Sequence, residues 1–133
     1  MTIADTDVLI DYLAGKGEAD AVERLLDRGA LRTTVISRFE LLSGAKNPKQ
    51  LARLVQLLKA VPSLGLDDTA ADAASEIRRS LERAGYPIGM ADSLIAGIVT
   101  SNGGTLLTRN RRHFERVPGL SLASTGDPAA TNA

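Results

Sequence analysis

Residues 2–13, TIADTDVLIDYL, join a short apolar run to two carboxylates and then to an apolar pattern with helical spacing. The first three residues favour a strand, and the apolar residues after Asp7 favour a helix. Open α/β sheets place their chemistry at the carboxyl ends of their strands. Asp5, which directly follows the strand, is therefore a candidate functional residue, whereas Asp11 within the helix is expected to cap or to face solvent.

Strand and helix patterns alternate along the rest of the chain. Strands are predicted at 31–35, 61–66, 105–108 and 120–123. Helices are predicted at 18–28, at 36–45, from 48 onward, from 67 or 68 to 85, and at 91–99. Residues 109–115 are predicted to form a turn or a short helix. Pro62 restricts its strand to an edge or to its first position. The helix after Pro48 is predicted to bury the stripe Leu51, Leu54, Val55 and Leu58. This alternation predicts an α/β fold with a parallel sheet covered on both faces.

The composition predicts one globular domain and excludes several kinds of protein. The 133 residues carry 16 basic and 16 acidic side chains, so the net charge names no partner. Without cysteine, a disulfide framework or a thiolate site is impossible. No apolar run is long enough to span a membrane and no signal peptide is apparent, so the expected location is the cytoplasm. The domain is expected to cover 1–123, and the small, polar residues 124–133 are expected to form a flexible tail.

Four residues are candidates for chemistry: Asp5, Glu40, Asp92 and Asn110. Glu40 lies between apolar neighbours, where a carboxylate is costly unless it is paired or binds a metal. Taken singly, Asp92 could be a helix-terminus acid, and Asp5 and Asn110 could be turn formers. Taken together at one edge of a parallel sheet, they would form an all-oxygen site suited to Mg²⁺, whose chemistry fits phosphodiester hydrolysis.

Four arginines follow the predicted strand at 105–108: Arg109, Arg111, Arg112 and Arg116. A solvated helix face is the ordinary interpretation of such a cluster. Beside Asn110, however, the arginines could guide RNA phosphates, since guanidinium groups bind phosphate oxygens in pairs. With two tyrosines and two phenylalanines in the chain, no stacking platform for bases is expected, so specificity would come from shape and loops.

The stretches DTDVLIDYL, SRFELLSGA, IGMADSLIAGI and LLTRNRRHFERVPGLSL resemble, in their order and spacing, the PIN-domain ribonucleases of the VapC toxin type. The resemblance runs from residue 2 to about residue 122. It implies a three-layer α/β/α sandwich with a central parallel sheet. It also implies an endoribonuclease that depends on Mg²⁺ or Mn²⁺ and acts on tRNA, rRNA or mRNA.

By the same resemblance, Asp5, Glu40 and Asp92 would bind the metal and Asn110 would complete the catalytic group. A VapB-like antitoxin and a homodimer are the implied protein partners. The chain departs from the family pattern at Asp7, where Asn is common, and at His113, where an acid is common. Asp7 is expected to cap the first helix or to support the metal site, and His113 to contact phosphate rather than to act as a general base.

Two other functions compete with this interpretation. Asp5-Thr6-Asp7 is similar to the opening of haloacid-dehalogenase-like phosphatases, in which the first Asp is the nucleophile. Their motif requires Thr or Val where this chain has Leu9, and their later lysine is missing because none follows Lys59. A degenerate PIN domain that binds RNA or a partner without cleavage is the second alternative, although all three acids are present.

Overall fold

The computed structural model describes residues 1–123, which form one parallel β-sheet with helices on both faces. The strands are β1 (Thr2–Ala4), β2 (Leu31–Thr34), β3 (Ser63–Leu64), β4 (Thr105–Leu107) and β5 (Ser121–Leu122). Their order across the sheet is β3-β2-β1-β4-β5, and every neighbouring pair is parallel. The predicted tail, 124–133, lies outside the described residues.

Seven helices connect these strands: α1 (Thr6–Leu13), α2 (Ala19–Asp27), α3 (Val35–Ser43), α4 (Pro48–Ala60), α5 (Asp68–Arg83), α6 (Met90–Ser101) and α7 (Arg111–Phe114). Alternate residues of a strand point to opposite faces of the sheet. Thus Ile3 and Leu106 pack in the core beneath α5 and α6, whereas Ala4 and Leu107 pack in the core formed with α1, α2 and α4. The three-layer α/β/α prediction is confirmed.

Polar side chains begin the helices that surround the carboxyl edge of the sheet. Asp5 caps α1, Thr34 caps α3, Asn47 caps α4 and Asp67 caps α5, each accepting a backbone N–H of the first turn. Asp5 directly follows β1 and Thr34 is the last residue of β2, so a helix begins as soon as each strand ends. This arrangement brings the first turns of α1 and α3 to the same edge.

The predicted inner stripe of α4 is wrong in part. Leu54 and Leu58 are buried as expected, but Leu51 and Val55 are each 41% exposed. Leu57 is buried in their place, and Val61, which follows the helix, is buried completely. Leu54, Leu57, Leu58 and Val61 also recur at helical spacing, so the helix is rotated toward this second stripe.

The strand predicted at 61–66 is reduced to the two residues of β3 and lies at the sheet edge, one of the two positions that Pro62 allowed.

Helices α5 and α6 approach closely at a glycine. A Cβ atom at Gly97 would lie 2.6 Å from the backbone oxygen of Ala70 and 2.7 Å from both the Cβ and the N of Ala74. Only a residue without a side chain fits such a contact, because protein interiors are close-packed. This packing fixes α6, whose first turn carries Asp92.

None of the helices in the described part of the chain is long and apolar enough to cross a membrane.

Candidate active site at the carboxyl edge of the sheet

Asp5 lies at the centre of the carboxyl edge, directly after β1, and is 4% exposed. Its Oδ1 accepts the backbone N–H of Thr6 at 2.8 Å, and its Oδ2 accepts the hydroxyl of Thr108 at 2.7 Å. Thr108 follows β4, the neighbour of β1 in the sheet. The strand order therefore fixes the carboxylate between two elements that are 103 residues apart in sequence.

Burial raises the pKa of Asp5, and repulsion from Asp92 and Asp7 raises it further. The hydrogen bonds from Thr108 and Thr6 act in the opposite direction but do not cancel the increase. Asp5 thus carries unfavourable electrostatic free energy when it is ionised. A cation bound at this position would offset that free energy, because it would neutralise the repulsion among the three carboxylates.

Glu40 lies in α3 and reaches the same edge through Thr6. The Thr6 hydroxyl donates to Glu40 Oε1 at 2.7 Å, and it also lies 2.9 Å from the Ser37 hydroxyl. The expectation that Glu40 is surrounded by apolar side chains is wrong, since Phe39 is 70% exposed and Glu40 is half-buried. The neighbours of a helical residue in sequence point to other sides of the helix, so they do not define its surroundings.

Asp92 lies in the first turn of α6, where the free backbone amides favour an acidic side chain. Its Oδ2 is 3.4 Å from Nδ1 of His113 in α7. Its charge also acts on Asp5. Asp92 therefore contacts the imidazole of α7 and adds to the electrostatic repulsion on Asp5.

Asp11 has different surroundings from those expected, and α1 is capped by Asp5 rather than by Asp7. Asp11 is buried, and both of its carboxylate oxygens accept from Nη1 of Arg109, at 2.9 and 3.0 Å. The expectation that Asp11 caps or faces solvent is therefore wrong, because it forms an ion pair across 98 residues of sequence. Asp7 accepts from Nδ2 of Asn110 at 3.2 Å and lies 3.7 Å from Nη2 of Arg109.

The four arginines divide into two pairs. Arg109 is bound to Asp11, and Arg111 donates through Nη1 to the backbone oxygen of Ala123 after β5. In the part of the chain that the structure describes, Arg112 and Arg116 form no ion pair with a carboxylate, and both are exposed. The role predicted for the cluster in guiding RNA phosphates is thus left mainly to Arg112 and Arg116.

The oxygen-rich edge fits a small divalent cation with an incomplete protein shell. Among residues 1–123, no three Asp, Glu, His or Cys side chains are arranged so that they could hold a metal ion by themselves. Mg²⁺ does not require such a cage, because it keeps several waters and takes one or two carboxylates together with substrate phosphate. Asp5 and Asp92 are predicted to be those carboxylates. Whether Glu40 also joins the shell stays a prediction.

Two residues at the candidate site have only weak signals in the sequence. Thr108 follows a predicted strand and matches an ordinary turn hydroxyl, yet it is 1% exposed, donates to Asp5 Oδ2 and accepts the backbone N–H of Asn110 at 3.0 Å. Asp11 lies in the first helix, where the sequence predicts a capping or solvent-facing residue. A signal existed for Thr108, since a polar residue that ends a predicted buried strand at the functional edge requires a partner.

Replacing Thr108 by valine is expected to destabilise the protein by about 1–3 kcal/mol and to reduce activity. The valine would leave Asp5 Oδ2 and the Asn110 N–H without their buried partner. Thr108→Ser keeps the hydroxyl and serves as the matched control. Urea denaturation of both variants measures the effect. A loss in Thr108→Ser with wild-type stability in Thr108→Val would show that the methyl group, and not the hydrogen bonds, is responsible.

A family profile described as "PIN domain" matches residues 2–120 of this chain. The chain is 34% identical to the tRNA(fMet)-specific endonuclease VapC of Shigella flexneri over 87% of this chain and 91% of the relative. It is also 34% identical to Ribonuclease VapC11 of Mycobacterium tuberculosis strain H37Rv, over 93% of this chain and 98% of the relative.

Solved structures with the same fold include two complexes. The DNA-bound VapBC of Salmonella typhimurium aligns with a TM-score of 0.76 and 28% identity, and covers 91% of this chain and 95% of the solved chain. VapBC-1 of nontypeable Haemophilus influenzae aligns with a TM-score of 0.77 and 26% identity, over 91% and 95% of the two chains. The parallel sheet and its helical layers are therefore shared with these proteins.

Proposed function

The chain belongs to the PIN-domain family and, within it, to the VapC ribonucleases, and from this membership we propose that it is a divalent-metal-dependent endoribonuclease. The single observation that carries the proposal is the buried carboxylate of Asp5, repelled by Asp92 and Asp7 at the edge where the sheet ends. The family membership removes the haloacid-dehalogenase alternative.

Asp5 and Asp92 would hold Mg²⁺ or Mn²⁺, with Glu40 beside them. When bound, the cation would supply charge neutralisation for the phosphate and a lowered pKa for an attacking water. The protein's own contribution is orientation. Thr108 and the Thr6 amide fix the Asp5 carboxylate, and Thr6 also fixes Glu40. Asn110, held by its side chain at Asp7, completes the proposed catalytic group.

We propose that the protein acts as the toxin of a toxin–antitoxin pair. The support is that several relatives of the same fold were solved as VapBC complexes. A VapB-like antitoxin would neutralise the nuclease, and the toxin itself would form a homodimer. RNA as substrate and such an antitoxin place the proposed action in the cytoplasm. One relative is named a tRNA(fMet)-specific endonuclease, so tRNA is the first substrate to test, before rRNA and mRNA.

The test is cleavage of total tRNA by the purified protein with Mg²⁺, with Mn²⁺ and with EDTA. We expect cleavage with either cation, none with EDTA, and a rate lower by about 10³-fold or more for Asp92→Asn, since a metal-binding acid supplies several kcal/mol of charge stabilisation. Equal rates for the wild type and Asp92→Asn would indicate a contaminating nuclease. Binding of tRNA without cleavage of any RNA would favour the degenerate, non-cleaving PIN domain.

A further inference from the structure

A pocket of about 290 Å³ lies beside the candidate active site, between the loop after α5 and the short helix α7. Its lining combines an aromatic ring, basic side chains and a short apolar wall, chiefly Tyr86, Pro87, Ile88, Arg112, His113 and Arg116. The volume is close to the lower end of the range of small-molecule sites, which begins near about 300 Å³. The pocket is thus large enough for one planar group and its substituent rather than for a large ligand.

The pocket is lined by two arginines, one of which covers one face of the half-exposed Tyr86. The Arg116 guanidinium lies 3.9 Å from the centre of the Tyr86 ring, while Tyr86 is still 49% exposed. Arg112 lines the same pocket and, within residues 1–123, has no carboxylate partner. A ligand with one anionic group and one flat aromatic group would match both features, because guanidinium binds phosphate and the ring stacks on bases.

The pocket adjoins the proposed metal acids through a single side chain. His113 lines the pocket and places Nδ1 3.4 Å from Oδ2 of Asp92. A chain that continues from the pocket past His113 therefore reaches the carboxylate of Asp92. This is the geometry required of a subsite for a residue next to the reacting group.

We propose that this pocket binds one nucleotide of the RNA substrate, adjacent to the phosphate that is cleaved. The base lies against Tyr86, and its phosphate is bound by Arg112 and Arg116. The inference rests on the proposed nuclease function for its ligand. It revises the expectation that the chain offers no aromatic surface for bases, since a single exposed tyrosine provides one position for stacking.

The experiment measures binding without cleavage. The protein carries Asp5→Asn, and the probe is a fluorescein-labelled oligouridine of about eight nucleotides that contains 4-thiouridine. We expect Arg116→Gln to weaken the Kd about tenfold and to reduce the slope of log K against log salt by about 0.7, the value for one phosphate contact of a single strand. Tyr86→Ala is expected to weaken binding about tenfold, and Tyr86→Phe to bind like the parent. Ultraviolet crosslinking is expected to attach the probe to the peptide that contains Tyr86.

Arg24→Gln is the matched control, because Arg24 is an exposed arginine of α2 outside the pocket. If Arg116→Gln and Tyr86→Ala bind the probe as Arg24→Gln does, or if the crosslink maps elsewhere, the proposed subsite is wrong. The proposed nuclease function would still stand in that case, provided that the wild type cleaves tRNA. If the pocket variants lose binding but the wild type cleaves no RNA, the pocket binds a nucleotide and the nuclease function is overturned.

Discussion

Replacing Asp5 by asparagine is expected to reduce RNA cleavage by about 10³-fold or more while making the metal-free protein more stable at neutral pH. The activity is lost because asparagine carries no negative charge with which to hold a divalent cation. Loss of the cation removes several kcal/mol of charge stabilisation. The fold is kept because asparagine is also a good helix cap, so the Thr6 N–H keeps its acceptor. The two effects thus have opposite signs.

The gain in stability follows from the raised pKa of Asp5, which is due first to burial and then to repulsion from Asp92 and Asp7. Between the ordinary aspartate pKa and this raised value, the folded protein binds more protons than the unfolded chain does. The free energy of unfolding therefore decreases as the pH rises through that window, and it stays lower above it. Asp5→Asn removes this decrease, because the amide does not ionise.

Thermal unfolding of the wild type and Asp5→Asn, in EDTA from about pH 4 to about pH 8, measures this difference. Adding Mg²⁺ at about 100 times its Kd should then stabilise only the wild type, by about 2.7 kcal/mol. Asp20→Asn, the same change at an exposed residue of α2, serves as the control and should alter neither activity nor Mg²⁺ stabilisation. If EDTA-treated Asp5→Asn is less stable than the wild type at neutral pH, the carboxylate has a structural role that outweighs its electrostatic cost.

Replacing Gly97 by alanine is expected to destabilise the protein by about 2 kcal/mol or more, and Gly97→Leu is expected not to fold. The added Cβ would lie 2.6 Å from the Ala70 oxygen, so α5 and α6 would have to separate. Helix propensity alone would make Gly97→Ala more stable by about 1 kcal/mol, so the sign of the result isolates the packing effect. Activity should fall as well, because α6 carries Asp92.

Urea denaturation of Gly97→Ala beside Gly65→Ala measures this effect. Gly65 lies in an exposed loop, and a Cβ there would meet no atom within 4 Å. We expect Gly65→Ala to change the stability by less than about 0.5 kcal/mol. A Gly97→Ala protein with wild-type stability would contradict the close approach of the two helices.

The fold could be predicted from local signals because strands, caps and helices agree along the chain. The helices at Pro48 and after Asp67 begin where the sequence predicts, whereas the first helix is capped by Asp5 instead of Asp7. The rotation of α4 could not be predicted, because Leu54 and Leu58 belong to two overlapping stripes at helical spacing. Which stripe is buried depends on contacts with the sheet, and burial of Val61 after the helix decides it.

The candidate site could be predicted less completely than the fold. The sequence singles out Asp5 because it ends a strand and Glu40 because its sequence neighbours are apolar, although only Asp5 is buried in the structure. The ion pair of Asp11 with Arg109 is not visible there, since the two residues are far apart in the chain and each has an ordinary surface explanation. The hydrogen bond from Thr108 to Asp5 likewise depends on the pairing of β1 with β4.

Because β1 lies next to β4 in the sheet, the candidate active site cannot form before both strands have been synthesised. Asp5 leaves the ribosome before Thr108, which is synthesised 103 residues later. At about 5–20 residues per second, this delay is on the order of 5–20 s. A nascent chain therefore cannot assemble the proposed nuclease centre until nearly all of the domain has been translated. An antitoxin made beforehand would be present before the first complete toxin molecule becomes active.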